Sequence, residues 1–166
     1  MKKTYKKTVL ILVFFFLILI PPLNAQVFNH TAHEYFKKSL ECMMNGDYQE
    51  AIVNCNEVLR RDPNSAVTYV IRGRAYYEIK EYDKAINDCN QAIRRDRNNA
   101  TAYTIRGSAH NKKGDIDSAF SDWQTALNIN PFDEEAKLNV EQMLKQPALR
   151  QPALRQPALR QPQTQR

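Results

Sequence analysis

An all-α superhelix of three stacked helix-turn-helix units is the fold class this sequence predicts, on three observations. The chain repeats itself every 34 residues, each unit holds two stretches of helical hydrophobic spacing, and one more such stretch comes after the last unit. Sliding the chain by one period aligns Tyr35, Tyr69 and Tyr103, then Ser39, Gly73 and Gly107, then Ala51, Ala85 and Ala119. It also aligns Cys55, Cys89 and Trp123, then Val58, Ala92 and Ala126, then Leu59, Ile93 and Leu127. The units close on Pro63, Arg97 and Pro131. Residues 69–76 and 103–110 nearly share a phrase, Tyr-Val-Ile-Arg-Gly-Arg-Ala-Tyr against Tyr-Thr-Ile-Arg-Gly-Ser-Ala-His.

Taken in chain order, residues 1–25 read as a secretory signal peptide or an N-terminal membrane anchor. Lys2, Lys3, Lys6 and Lys7 precede twelve consecutive apolar residues, Val9 to Ile20, and then Pro21-Pro22 and the small residue Ala25. A spanning helix needs roughly twenty apolar residues, so cleavage after Ala25 is the first reading and retention of residues 9–20 in a membrane the second. Either reading puts the body in an exported compartment, secreted or periplasmic, or tethers it to a membrane, the basic C-terminal tail then touching an anionic surface.

Units 32–65, 66–99 and 100–133 come next. Their first helices are predicted at Ala32–Met44, Ala66–Ile79 and Ala100–Lys113, and their second helices at Tyr48–Arg61, Tyr82–Arg95 and Ile116–Ile129. In the first unit Ala51, Cys55, Val58 and Leu59 mark one apolar helical face. Gly46 and Gly114 suit the turns between helices, where a positive φ is needed, and Asp47 and Asp115 can cap the second helix of their units. Pro63 and Pro131 end the second helices, because the residue before a proline is pushed out of helical geometry. Residues 134–145 carry Ala136, Val140, Met143 and Leu144 at helical spacing and are predicted to cap the stack. From Gln146 the chain reads Gln-Pro-Ala-Leu-Arg three times; proline at every fifth residue forbids a helix, and residues 146–166 are predicted to be a disordered tail.

Together the aromatic, glycine, alanine and proline positions at this period resemble the tetratricopeptide repeat family over residues 32–131. The resemblance implies an α-α superhelix whose first helices line a concave face that holds a partner protein or peptide. It places His33, Phe36, Leu40 and Met43 on that face from the first unit, Val67, Val70, Arg74 and Tyr77 from the second, and Thr101, Thr104, Ser108 and Lys112 from the third. The trough so described grades from apolar to polar and suits an extended or helical peptide with an apolar anchor. A cover for an exposed end, or a second copy of the chain, is the competing role for Phe36 and Met43. The basic and asparagine pattern with which some members clamp C-terminal carboxylates is not found.

Charge and chemistry narrow the classes further. The formal net charge is +6, but four of the basic residues are the leading lysines and four are Arg150, Arg155, Arg160 and Arg166 in the tail. Setting those eight aside leaves 16 basic against 18 acidic side chains, so nucleic acid is not an expected partner of the body. Arg72 and Arg106 precede the two glycines, and Asp88 and Asp122 lie 16 residues after them. An antiparallel hairpin sets such residues opposite each other, so two partly buried bidentate ion pairs are expected, with Lys38 and Asn54 replacing the pair in the first unit.

Cys42, Cys55 and Cys89 are an odd set for an exported chain. Core packing is their expected role; a Cys55–Cys89 disulfide is disfavoured by helix spacing, and Cys42–Cys55 is the easier pairing. His30 and His33 share one helical face without a further ligand nearby, and His110 stands where the second unit has Tyr76. No metal site, cofactor or catalytic residue is therefore expected, and the protein is read as a non-enzymatic scaffold. Glycosylation sequons stand at Asn29 and Asn99.

Overall fold

The computed structural model describes residues 23–145, with side chains from Thr31 onward. The signal or anchor segment up to residue 22, the side chains of Asn29 and His30, and the arginine-bearing tail lie outside the described residues. Seven helices and no strand are found among them: α1 Leu23–Asn45, α2 Tyr48–Arg61, α3 Ala66–Glu78, α4 Tyr82–Arg95, α5 Ala100–Lys112, α6 Ile116–Ile129 and α7 Glu134–Lys145. They pack as three antiparallel pairs, α1 on α2, α3 on α4 and α5 on α6, each pair stacked on the next, with α7 on α6 and α5.

The three second helices and the last helix have the limits expected of them. Two first helices are one residue shorter, with Ile79 and Lys113 as their C-caps. The larger difference is α1, which starts at Leu23 rather than Ala32. No glycine or proline separates Leu23 from Asn45, so nothing interrupts the helix once it has begun, and the repeat register does not mark where it starts.

Local chemistry sets the remaining ends. Ser65 accepts a hydrogen bond from Thr68 N at 3.4 Å, Asn99 from Ala102 N at 3.0 Å, Asp115 from Ser118 N at 3.2 Å and Asp133 from Ala136 N at 3.0 Å, satisfying first-turn donors that a helix leaves open. Asp47 stands at the start of α2 without a side-chain bond of this kind. Each hairpin turn contains one left-handed residue: Gly46 at φ 81°, Lys80 at φ 67° and Gly114 at φ 84°. Lys80 bears a Cβ in a conformation that the other two turns assign to glycine.

The core runs along the stack as linked clusters. Ala51 and Ile52 of the first pair meet Ala75, with Tyr48, Tyr76 and Ile79 around them. Val70, Cys89, Ala92, Ala102 and Ile105 join the second pair to the third. Ala119, Trp123 and Ala126 join the third pair to Ala136 and Met143 of α7. Apolar burial at the joints between pairs is the main stabilising term of such a stack, since one pair cannot bury both of its faces. The glycines permit the closest approaches. A Cβ at Gly107 would lie 2.9 Å from the Trp123 ring and 3.0 Å from the Ala119 carbonyl oxygen.

Polar groups inside the stack obey the same period. Arg72 donates from Nε and Nη2 to the two Asp88 oxygens, both at 2.7 Å, and from Nη1 to Asn56 Oδ1 at 2.6 Å. Arg106 repeats this on Asp122 at 2.9 and 2.6 Å, and on Asn90 at 2.5 Å. Each arginine therefore joins the second helix of its own pair to that of the pair before. Tyr69 lies under Arg72 at 5.5 Å and Arg95 at 4.4 Å, measured from ring centroid to guanidinium carbon. In the first pair Asn54 donates to the Glu50 carbonyl at 2.9 Å, and Ser39, in the glycine place, donates to the Phe36 carbonyl at 2.6 Å.

Candidate partner-binding face

The first helices stand side by side, so the residues one face of each presents form a continuous inner surface. His33, Thr101 and Lys112 are exposed on it, as are Leu40 and Val67, at 41% and 51%. Phe36, Met43, Arg74 and Tyr77 are half-buried, and Tyr77 packs with the core cluster around Val70 and against the Tyr82 ring at 5.8 Å. These side chains make an apolar stretch over the first unit and α3.

The third unit differs from expectation. Thr104 and Ser108 are buried rather than open. Thr104 Oγ1 donates to Asp133 Oδ2 at 2.7 Å, and Ser108 Oγ accepts from Asn139 Nδ2 at 3.3 Å. Val70 is buried too, drawn into the joint with α5. Arg74 Nη1 donates to Glu135 Oε1 at 3.0 Å, its Nη2 is bonded to the other Glu135 oxygen, and Glu78 stands 4.0 Å away. Burial opposes the charge on Arg74, but the Glu135 hydrogen bond and charge outweigh it and raise its pKa above the ordinary arginine value. The physical reason for the change is the size of two side chains: threonine and serine leave space above α5, so groups from α3 and α7 meet across it.

Helix α7 is in register with the first helices. Ala136 stands one period after the buried Ala102, and Met143 one period after the buried Ala109. The same register turns Glu135 and Leu138 toward the inner surface, and Leu138 is 53% exposed there. Sequence reasoning missed Glu135 and Leu138 as parts of this face, although they stand one period after Thr101 and Thr104; Asp133 and Asn139, one period after the cap Asn99 and the core residue Ile105, carry no such mark. It also missed Asn56 and Asn90 in the ion-pair ladder, although each lies 16 residues before its arginine.

Among the described residues the remaining reactive side chains assemble no metal site. Cys42 is half-buried and Cys55 and Cys89 are buried, all three as free thiols. Burial pushes Cys55 up to about 11 and Cys89 to about 12, so neither is a thiolate nucleophile at neutral pH. His110 pairs with Asp115, Nδ1 to Oδ2 at 3.2 Å. A polar cavity of about 440 Å³ is lined by Arg106, His110, Asp117, Ser118, Ser121 and Asp122. Among the described residues no group of three His, Cys, Asp or Glu side chains could hold a metal ion.

Stacked antiparallel helix pairs with an open inner surface define a helical-repeat architecture. A family model for the tetratricopeptide repeat matches residues 43–108. With the repeat register and the stack, this match shows a fold of the tetratricopeptide type, and the chain is similar to that family. The fold is similar to the first such domain of human RPAP3 (28% identity, TM-score 0.65, covering 68% of this chain and 89% of that one). It is similar also to the second RPAP3 domain, solved with an HSP70 peptide (26% identity, TM-score 0.66, covering 72% and 99%). The TPR2B domain of yeast Sti1, in complex with pHsp70, matches at 25% identity and TM-score 0.60, over 68% of this chain and 90% of that one. No curated protein sequence matches the chain.

Proposed function

We propose that the protein is a non-catalytic interaction scaffold that holds a partner peptide on the inner face of its first helices, chiefly over α1 and α3. The observation that carries this is the exposure of the aliphatic side chains Leu40, Val67 and Leu138 on first-helix positions of α1, α3 and α7, with Phe36, Met43 and Tyr77 half-buried. The peptide complexes among the similar structures support the class of ligand. Because Arg74 is already bonded to Glu135, the partner is anchored by apolar side chains rather than by a terminal carboxylate. Peptides selected from a random displayed library on the full chain test the reading. Phe36→Glu and Leu138→Glu should each weaken them about tenfold or more, since a buried large apolar side chain is worth about 1.5–3 kcal/mol. Asn87→Glu, an exposed change on the second helix of the middle unit, should leave binding unchanged. Selected peptides indifferent to both inner-face changes would sink the proposal.

The scaffold works in an exported compartment, by the signal-like character of residues 1–25. A membrane-tethered adaptor is the second reading, and one observation favours it. The junction Ala25–Gln26 lies inside α1, whereas processing proteases cut exposed, extended chain, so cleavage there must first unwind the helix. The mass of the mature N-terminus separates the readings: Gln26 first means secretion, and an intact apolar segment means tethering.

A further inference from the structure

We infer that the polar cavity lined by α5 and α6 is a binding site for an aromatic ring that carries, or stands next to, an ammonium group. Its volume of about 440 Å³ lies within the range of about 300–1,000 Å³ usual for ligand sites. None of its lining residues belongs to the inner face, so the inference stands apart from peptide binding there.

The second unit shows what the cavity is shaped for, because it fills the same place with its own side chains. Three lining residues have counterparts of their own kind one period earlier: Arg72 for Arg106, Asp83 for Asp117 and Asp88 for Asp122. The other three differ, with Tyr76, Lys84 and Asn87 standing where the third unit has His110, Ser118 and Ser121. The Arg72 guanidinium carbon lies over two rings, Tyr69 at 5.5 Å and Tyr76 at 5.9 Å, and the Lys84 nitrogen lies 5.5 Å from the Tyr76 centroid. A second cation, Lys113 from the turn of the next unit, is bonded to Asp83. The third unit keeps the receiving groups and lacks what they receive. Arg106 has Tyr103 at 5.3 Å, but His110 replaces the other ring, and its imidazole is bonded to Asp115 at 3.2 Å. Serine replaces the lysine, and Pro147 stands one period after Lys113. Asp117 is exposed, and its carboxylate forms no ion pair or hydrogen bond among the described residues. Because Arg106 and Asp122 neutralise each other, Asp117 makes the cavity favour a positive ligand. A ring seated here takes the place of Tyr76 against Arg106, and its ammonium group takes the place of Lys84 within reach of Asp117.

Amide NMR spectra of the isotope-labelled full chain, titrated with tyramine, test this. Shifts are expected at Arg106, His110, Ser118 and Ser121 and not at Arg72, Tyr76, Lys84 and Asn87, half-saturating at about 1–10 mM for a ligand of this size. Cyclohexylethylamine, without the aromatic ring, and hydroxyphenylpropionate, with the opposite charge, should each bind more weakly by about threefold or more. His110→Tyr/Ser118→Lys, which installs the side chains of the second unit, should abolish the shifts. Asp117→Asn, an exposed change, should weaken tyramine about two- to fivefold. An acetylated and amidated Tyr-Lys dipeptide identifies the source of the ligand: tighter binding than tyramine assigns the site to a polypeptide segment, and weaker binding to a free amine. Tyramine that leaves the cavity amides unmoved, or that binds no better than the propionate, overturns the proposal. So does tyramine that shifts the filled variant as it shifts the parent, or an Asp117→Asn protein that binds it as tightly as the parent does.

Discussion

Replacing Asp88 by asparagine isolates the ion-pair ladder. Asp88 is 1% exposed and takes two hydrogen bonds from Arg72 at 2.7 Å. The substitution keeps the shape, removes the charge and takes away one acceptor, leaving a part-buried guanidinium without its counter-ion. Removing one member of a buried pair costs about 3–5 kcal/mol, although the pair itself adds little over an apolar replacement. Arg72 retains Asn56 at 2.6 Å and the faces of Tyr69 and Tyr76, which puts the expected cost near the lower bound, about 3 kcal/mol. For a body of this size that is a fall in Tm of about 10 °C. Asp122→Asn should cost less, about 2 kcal/mol, because Asp122 and Arg106 line the open polar cavity and water can take up the freed donor. Urea and thermal unfolding of the two variants, beside the double variant Arg72→Met/Asp88→Leu, measure the ordering. An Asp88→Asn protein that melts within a degree of the parent, or below which Asp122→Asn melts, refutes the reasoning.

Three further outcomes can be checked by the same unfolding measurements. Gly107→Ala should cost about 2–3 kcal/mol and Gly73→Ala about 1 kcal/mol or less, because the new Cβ meets the Trp123 ring at 2.9 Å in one case and the Cys89 sulfur at 3.2 Å in the other; equal losses would count against the packing argument. Lys80→Gly should stabilise by about 0.5–1 kcal/mol by relieving the left-handed backbone, and a destabilised variant would show that the lysine side chain matters more than its φ. Stability should also fall at alkaline pH. The Cys55 and Cys89 thiols keep their protons in the fold to about 11 and about 12, while an unfolded cysteine loses its own near 8.5. Between those values the unfolded chain binds fewer protons, so stability drops by up to about 1.4 kcal/mol per pH unit for each thiol. Urea midpoints at pH 8 and 10.5 should therefore converge in a Cys55→Ala/Cys89→Ala variant, whatever that variant's absolute stability; an undiminished slope assigns the effect to other groups.

The limits of α2, α4, α6 and α7 were legible because two independent signals coincide at each. An apolar face with 3.6-residue spacing runs between a turn on one side and a proline, a capping side chain or the repeat boundary on the other. The start of α1 was not legible, since the period speaks only for residues that have a counterpart, and Leu23 to Thr31 have none. The bidentate pairs were readable from one number, the separation of 16 shared by Arg72–Asp88 and Arg106–Asp122. Counted backwards from each arginine, the same number finds Asn56 and Asn90. A hairpin alone explains the forward spacing, whereas the backward one needs the stacking angle between neighbouring pairs, which no residue pattern states.

The inner face shows where a one-dimensional pattern stops. Position within the repeat says that Arg74, Thr104 and Ser108 point inward, and they do; it does not say whether inward means open. That depends on curvature, which brings the inner surfaces of alternate units within side-chain reach whenever the unit between them carries small residues. Thr104 and Ser108 are small, so Arg74 and Glu135, 61 residues apart in the chain, close over α5. The first unit has Phe36, Leu40 and Met43 at this face, and among the described residues no unit before it closes over them. A partner is therefore expected to seat its apolar anchor over α1 and α3, to meet the third unit only through Thr101 and Lys112, and to meet α7 through Leu138. That asymmetry is a consequence of side-chain size at two positions. Enlarging Ser108 to leucine, which would wedge α3 and α7 apart, should break the Arg74–Glu135 contact and speed amide exchange in α7, while the same change at exposed Thr101 should do neither.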